Sequence, residues 1–175
     1  MANVLNNYKQ TVVTKADYFE TLQIYSNSHR RKLEDYEHEY RRTRQGHARL
    51  FTSAGIASLT VGQFEEFLSS TRWRSLARNK RRITTRGGMK SLRACLTTLL
   101  HDSGKPLSVR LDLLRPADSP PPLPYFGKGV ITAILHTVRP TRYGVWNATS
   151  EKVATALGIL PKFERGSSFG HRYLI

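Results

Sequence analysis

The chain has 175 residues and a formal net charge of +15, because 28 Lys and Arg stand against only 13 Asp and Glu. Its 8 Tyr, 7 Phe and 2 Trp exclude a wholly solvated coil, and its one cysteine excludes an internal disulfide framework or a thiolate zinc site. Since there is no apolar run of about 20 residues and no signal-peptide pattern after Met1, the sequence predicts a cytoplasmic protein without a membrane segment.

Residues 16–45 predict one long helix, because apolar side chains recur at helical spacing and no proline interrupts them. The apolar stripe consists of Tyr18, Leu22, Tyr25, Leu33, Tyr36 and Tyr40. We expect this stripe to be a packing face through which the chain meets a second copy or a partner subunit. The small, mixed residues 46–58 predict a linker or a turn between helices, so that residues 1–58 form an N-terminal unit and residues 59–175 a second, helical domain.

The second domain begins with a helix start signal. Thr60 and Gln63 form a capping-box pattern, which opens a short helix carrying Phe64, Phe67 and Leu68. Residues 80–88 are basic and end in two glycines, which predicts an exposed loop. Residues 89–101 return to helical periodicity, and Cys95 lies on their apolar face, which predicts a buried and inert thiol.

Shorter helices follow, separated by turn residues. Residues 106–114 predict a helix whose apolar contacts come from Val109, Leu111, Leu113 and Leu114. Five prolines within residues 115–124 predict an extended connector. Further helices are predicted over residues 130–138 and 151–157, the latter capped by Thr149 or Ser150 and stopped by Gly158. The tail is expected to be anchored by Phe163, Phe169 and Tyr173.

Strand alternation is absent throughout, so the sequence predicts a mainly α, multi-helix fold. The positive charge is concentrated, since residues 71–115 hold 12 basic and 2 acidic residues and therefore +10 of the net +15. An uninterrupted run of cations repels itself unless a polyanion neutralises it, although a solvated basic face is the simpler alternative. The run consists of Arg72, Arg74, Arg78, Lys80, Arg81, Arg82, Arg86, Lys90 and Arg93. Arginine dominates it, and the planar guanidinium suits phosphate oxygens.

A glycine turn leads into the helix at residues 130–138. Gly127 and Gly129 flank Lys128, and backbone N–H groups at such a helix start are free to bind an anion. This pattern is typical of a helix-hairpin-helix motif, in which a glycine turn binds a DNA phosphate. The alternative is a glycine turn that is needed only for close helix packing. A P-loop is excluded because no Gly-Lys-Ser/Thr follows at the required spacing.

The stretch from Pro124 to Leu135 resembles the hairpin of the helix-hairpin-helix DNA glycosylases. Those enzymes carry an aspartate about twenty residues after the glycines, and some carry a lysine nucleophile just after them. This chain has Val145, Trp146 and Asn147 at the first place, and the lysine is replaced by small and apolar residues. The resemblance therefore implies a helix-hairpin-helix-like C-terminal part that holds DNA, without the glycosylase's acid.

A wider pattern is similar to an accessory domain of bacterial restriction-type defence proteins, which often stands beside an ATPase or nuclease domain. The similar pieces are residues 64–68, Trp73, 92–96, 127–136, 140–147 and 164–170. The resemblance implies a DNA-associated role in restriction or phage defence. The sequence itself holds neither an ATPase motif nor a nuclease constellation, so a motor or nuclease would have to be supplied elsewhere.

The pattern as a whole predicts a DNA-binding module without catalytic residues, metal or cofactor. The predicted contacts to phosphate are the nine cations of the run together with Gly127, Lys128 and Gly129, while Trp73 or Trp146 would stack on a base if it is not part of the core. Two alternatives remain open. One is a glycosylase- or nuclease-like enzyme that uses Glu164 or Glu151, and the other is a subunit that binds RNA or an acidic protein.

Overall fold

The computed structural model describes residues 44–70 and 74–174, together with Asn27 and Arg41, and it leaves out the side chains of residues 74–79. The predicted helix at residues 16–45 therefore lies outside the described residues, apart from Asn27, Arg41 and residues 44–45, which are all helical. Every regular element of the described part is helical, which confirms the predicted mainly α, multi-helix fold.

The first three α-helices follow one another with short connections, and longer segments join the later ones. After helical residues 44–48 and a 3-10 turn at Arg49–Phe51 come seven α-helices. Their bounds are α1 Ser53–Ser58, α2 Val61–Ser70, α3 Arg74–His101, α4 Leu107–Leu114, α5 Lys128–Val138, α6 Ala148–Ala156 and α7 Phe169–Leu174. The long helix α3 is interrupted at Gly88, whose φ of 72° and ψ of 156° are not helical.

One hydrophobic core joins these helices. Helix α2 packs along α3, α7 packs on α4, and both α4 and α5 also contact α3. The fully buried side chains include Phe64, Phe67, Leu92, Leu96 and Leu99, which are the residues that the helical periodicity assigns to the apolar faces. Helix α5 is buried almost throughout, while α6 has no buried residue. The core therefore lies around the second half of α3 and leaves α6 at the surface.

The linker prediction for residues 46–58 is wrong. This stretch is helical over 44–48, forms a 3-10 turn, and continues into α1, whose start is capped by the Thr52 side chain. Phe51 and Ile56 are buried in the common core. The small residues that suggest a flexible linker allow close packing, since a Cβ on Gly55 would lie 2.1 Å from the carbonyl oxygen of Arg49.

The loop prediction for residues 80–88 is also wrong, because the basic run forms the first part of helix α3. Arginine and lysine are good helix formers, and the helix gains an apolar anchor in Ile83, which is fully buried. The Thr84 hydroxyl donates to Glu65 Oε1 at 3.0 Å, so this segment is fixed to α2. Only the glycine signal is confirmed, since the helix breaks at Gly88.

Several local predictions are confirmed. The Thr60 N–H donates to the Gln63 side chain at 2.9 Å, as a capping box requires. The connector at residues 115–124 contains no helix. Gly158, with a φ of 62°, follows the end of α6 as predicted. The N-cap of α6 is Asn147, which accepts from Thr149 and Ser150, and not Thr149 or Ser150 as predicted. Ser150 completes the capping box by accepting from the Asn147 N–H.

Two further corrections concern apolar residues and a helix start. On α4, Leu111 and Leu114 are buried as predicted, but Val109 and Leu113 face outward and are exposed. Helix α5 begins at Lys128, two residues before the predicted start at Val130. A glycine at the second helical position disfavours but does not prevent helix, and the Gly127 carbonyl accepts from Val130 and closes the first turn.

Candidate nucleic-acid interface

A group of cations along α3, on either side of the Gly88 break, is here called the arginine surface. It consists of Lys80, Arg81, Arg82, Arg86 and Lys90, all of them exposed except Lys80, which is half-buried. Lys80 Nζ donates to the Ser69 hydroxyl at 2.9 Å. Within the described part of the chain, no carboxylate forms an ion pair with any of the five. Ile83 and Thr84 are the buried residues of this stretch, so packing of the helix leaves Arg81, Arg82 and Arg86 exposed.

The other members of the predicted run differ in position. Arg72 and Trp73 lie outside the described residues, and Arg74 and Arg78 lie on the first turns of α3 without a described side chain. Arg93 lies on the far side of the Gly88 break, where its Nη2 donates to the carbonyl oxygen of Leu59 at 2.9 Å. That carbonyl belongs to the residue that follows α1, so Arg93 joins two elements of the fold.

Tyr125 lies beside the arginine surface, although the sequence signal for it is weak. Its ring centroid lies 5.4 Å from Cζ of Arg82 and 5.9 Å from Cζ of Arg86, and its hydroxyl accepts from Arg86 Nη1 at 3.3 Å. It is the one non-glycine residue with positive φ, at 64°, in the part of the chain that the structure describes. For a residue with a Cβ this conformation costs about 1–2 kcal/mol. The only sequence hint is an aromatic residue at the end of a proline-rich connector.

The connector is held against α3 by a close approach at Gly87. A Cβ on Gly87 would lie 1.9 Å from Cδ1 of Leu123, so any larger residue there would have to displace the buried Leu123 side chain. Leu123 and Phe126 are both buried, which fixes the backbone on either side of Tyr125. The basic half of α3 and the segment before α5 are thereby brought together, although they are far apart in the sequence.

The predicted glycine turn lies at the start of α5. Gly127 is the N-cap residue, and its carbonyl accepts from Val130 and Ile131. The backbone N–H groups of Lys128 and Gly129 bond to no acceptor that the structure describes. A Cβ on Gly127 would lie 3.3 Å from Nη1 of Arg115, which places an exposed guanidinium beside this turn. Since α4 ends at Leu114, residues 115–127 separate the two helices.

The side chain of Lys128 is not available to a ligand in the way that the sequence suggests. Its Nζ forms an ion pair with Glu151 Oε2 and lies 5.2 Å from the Trp146 ring centroid. Arg172 approaches the other carboxylate oxygen of Glu151 at 3.8 Å. The hydrogen bond from Lys128 holds the pKa of the Glu151 carboxyl below its usual range, and the charges of Lys128 and Arg172 act in the same direction.

Trp146 is the centre of a packed group, here called the Trp146 cluster. The cluster consists of Lys128, Trp146, Glu151, Phe163, Phe169, Arg172 and Tyr173. Phe163, Phe169 and Tyr173 all have ring centroids within 6.3 Å of the Trp146 ring, and Cζ of Arg172 lies 5.5 Å from it. The backbone N–H of Trp146 donates to the Thr132 hydroxyl of α5 at 2.9 Å. The structure therefore gives Trp146 a packing role, which anchors the tail as predicted.

The described residues contain no group of three or more His, Cys, Asp or Glu that could hold a metal ion. Burial raises the pKa of the Cys95 thiol to about 11, so the thiol is protonated at neutral pH. Of the two acids near the glycine turn, Glu151 is paired with cations and Glu164 is exposed. None of the described helices has the length and apolar character needed to span a bilayer.

No protein-family model, curated protein or solved structure matches the chain. The two resemblances drawn from its sequence motifs therefore stay predictions.

Proposed function

We propose that the chain is a DNA-binding module that holds the phosphate backbone through the arginine surface. The observation that carries the proposal is the contrast between charge and counter-charge. Five cations lie within residues 80–90 of α3, four of them exposed, and no carboxylate of the described residues is paired with them. Unneutralised cations at this density destabilise a folded chain, and a polyanion removes that cost.

The surroundings of the arginine surface support the same partner. The ring of Tyr125 lies 5.4 Å and 5.9 Å from the guanidinium carbons of Arg82 and Arg86, and the Arg115 guanidinium lies beside Gly127 at the start of α5. Guanidinium forks and helix N-termini both favour phosphate oxygens. A restriction or phage-defence setting rests on the motif resemblance of residues 59–175 alone, and it is part of the proposal for that reason.

The proposal is tested by measuring the affinity for a fluorescein-labelled 20-base-pair duplex by anisotropy at several KCl concentrations. If four or five phosphates are neutralised, the slope of log K against log[salt] is about −4, at roughly −0.9 per phosphate. Arg82→Gln is expected to reduce the slope by about one. The matched control is Arg165→Gln, because Arg165 is an exposed arginine in the tail and far along the chain from α3.

Three results would contradict the proposal. A salt slope near zero would show that binding does not depend on contacts between cations and phosphates. An equal effect of Arg82→Gln and Arg165→Gln would show that the net charge of the protein, and not the arginine surface, determines the affinity. A duplex RNA of the same length that binds at least ten times more tightly would reassign the partner to RNA. Strand cleavage or base release that is lost on Glu164→Gln would support the enzymatic alternative.

A further inference from the structure

Tyr125 adopts a backbone conformation that its side chain disfavours. Its φ of 64° lies in the left-handed region, where glycine and asparagine are the common residues. Such outliers persist only where the surrounding structure enforces them, and they concentrate at functional positions. Here two buried residues hold the chain on either side of Tyr125, since Leu123 is 0% and Phe126 is 2% exposed.

The consequence of this backbone geometry is an outward aromatic ring. Tyr125 is 37% exposed, between two anchors that are buried in the core. More than a third of Tyr125 is therefore open to solvent, in addition to its contacts with Arg82 and Arg86. The neighbouring aromatic candidate differs, because Trp146 is stacked among Phe163, Phe169 and Tyr173.

The ring is also placed among cations that suit phosphates. Arg82 and Arg86 have their guanidinium carbons 5.4 Å and 5.9 Å from its centroid, and they are one helical turn apart on α3. Aromatic rings next to a basic track are the usual arrangement of surfaces that bind single-stranded nucleic acid. There, arginines follow the backbone and each aromatic ring stacks on a base.

From this arrangement we infer that Tyr125 stacks on an unpaired base, so that the arginine surface prefers single-stranded over duplex DNA. The inference rests on the proposed function and narrows its ligand. Arg82 and Arg86 would bind the phosphates on either side of the stacked nucleotide. In a duplex, the faces of the bases are covered by their neighbours in the stack, so the ring of Tyr125 would gain no such contact without unstacking them.

The competing role for Tyr125 is to orient the two arginines without touching a base. The two roles differ in which measurement they change. Loss of an orienting residue weakens phosphate contacts, so it lowers the affinity for single strands and duplex alike and reduces the salt slope. Loss of a stacking residue lowers the affinity for single strands only and leaves the slope unchanged, because no phosphate contact is lost.

The experiment compares the wild-type protein with Tyr125→Leu and Tyr125→Phe. Leu removes the ring, whereas Phe keeps the ring and removes only the hydroxyl that accepts from Arg86. Each protein is titrated with a 15-nucleotide single strand and with the matching duplex, at several salt concentrations. A second titration follows the fluorescence of a 2-aminopurine in the single strand, which is quenched when an aromatic ring stacks on it. Thermal unfolding confirms that each variant is folded.

We expect Tyr125→Leu to weaken single-strand binding by about 5- to 150-fold, the range of one base–aromatic stack, and to reduce the quenching of 2-aminopurine. Tyr125→Phe should bind as wild type, and the duplex affinity should be unchanged in both variants. An equal loss for both ligands with a smaller salt slope would overturn the stacking role in favour of the orienting one. Unchanged single-strand binding by Tyr125→Leu would overturn it as well.

The outcomes also separate this inference from the proposed function. If the wild-type protein binds duplex with a steep salt slope and Tyr125→Leu has no effect on any ligand, only the inference fails. If the wild-type protein binds neither ligand in a salt-dependent manner, the proposed function fails and the inference fails with it.

Discussion

The arginine surface and the Trp146 cluster contain similar residues, namely cations next to aromatic rings, but they neutralise their cations differently. In the Trp146 cluster, Lys128 and Arg172 share the carboxylate of Glu151 and both lie over the Trp146 ring. On the arginine surface, Arg82 and Arg86 share an aromatic ring too, but no carboxylate of the described residues joins them. One group is complete within the protein, and the other lacks its anion.

The difference shows that a cationic residue in a sequence cannot be assigned to ligand binding until it is known whether a carboxylate of the same chain pairs with it. Lys128 and Arg86 look equally suited to phosphate in the sequence, yet the charge of Lys128 is matched by Glu151. The comparison predicts that changes in the Trp146 cluster alter the stability of the fold, while changes on the arginine surface alter the affinity for nucleic acid.

Trp146→Ala should give the largest effect, a loss of about 2–3 kcal/mol in the free energy of unfolding. Removing a buried tryptophan costs about 3–5 kcal/mol, and the half-buried position of Trp146 reduces that figure. Urea unfolding followed by circular dichroism measures the loss, which should appear as a lower midpoint at an unchanged slope. A stable Trp146→Ala protein with weakened DNA affinity would mean that Trp146 is a base contact after all.

Gly87→Ala tests the contact that brings Tyr125 to the arginine surface. The added methyl would lie 1.9 Å from Cδ1 of the buried Leu123, so we expect a loss of about 1–2 kcal/mol in unfolding free energy and weaker single-strand binding. The matched control is Gly62→Ala, which has no atom within 4 Å of the new methyl and lies in a helix. The control should be neutral or stabilising, because alanine is the better helix former. Equal behaviour of the two variants would contradict the close approach.

Glu151→Gln should lower the unfolding free energy at pH 7 by about 0.5–1 kcal/mol, because the ion pair with Lys128 is partly exposed. The pKa of Glu151 is lowered in the folded protein, so its contribution is present above the ordinary value of 4.5 and disappears as the pH falls through the folded-state pKa. The variant and the wild type should therefore differ at neutral pH and converge in acid. Glu164→Gln, at an exposed glutamate, is the control, and a constant difference at all pH values would refute the charge-based explanation.

Tyr125→Asn should have the smallest effect on stability, and the effect should have the opposite sign. We expect the free energy of unfolding to increase by up to about 1 kcal/mol. Asparagine tolerates positive φ better than tyrosine does, and the ring that it removes is exposed. The same variant should lose the affinity for single strands that the ring supplies. A gain in melting temperature together with a loss of binding would mark Tyr125 as a residue kept for function at the expense of stability. Unchanged stability of both Tyr125→Asn and Tyr125→Phe would argue that the backbone is unstrained.

The sequence predicts the core better than the surface. Helical periodicity identifies Phe64, Phe67, Leu92 and Leu96 as buried, because a core position must repeat with the period of the helix. The failures concern residues whose role is set by a distant partner. Residues 80–87 look like a loop by charge, but Ile83 and the bond from Thr84 to Glu65 fix them as helix.

The candidate site was predicted only in part for the same reason. The cations of α3 are visible as a run, but the pairing of Lys128 with Glu151 joins residues that are not neighbours in any sequence motif. The hydrogen bond from Arg93 to Leu59 and the placement of Arg115 beside Gly127 also have no signal in the sequence. The role of Tyr125 could not be predicted from the sequence. Its positive φ follows from the packing of Leu123 and Phe126 and not from the conformational preference of tyrosine.

The break at Gly88 has an electrostatic consequence for the basic run. Because the helix stops there, Arg86 lies in the last turn of one helical segment, whereas Lys90 lies in the first turn of the next. The aligned peptide dipoles of the first segment place roughly half a negative charge at its carboxyl end, which favours the Arg86 charge by about 0.3–1 kcal/mol, and the opposite end of the next segment disfavours the Lys90 charge. The backbone thus gives Arg86 a partial counter-charge and gives Lys90 none, so the two cations differ in how much they gain from a bound polyanion.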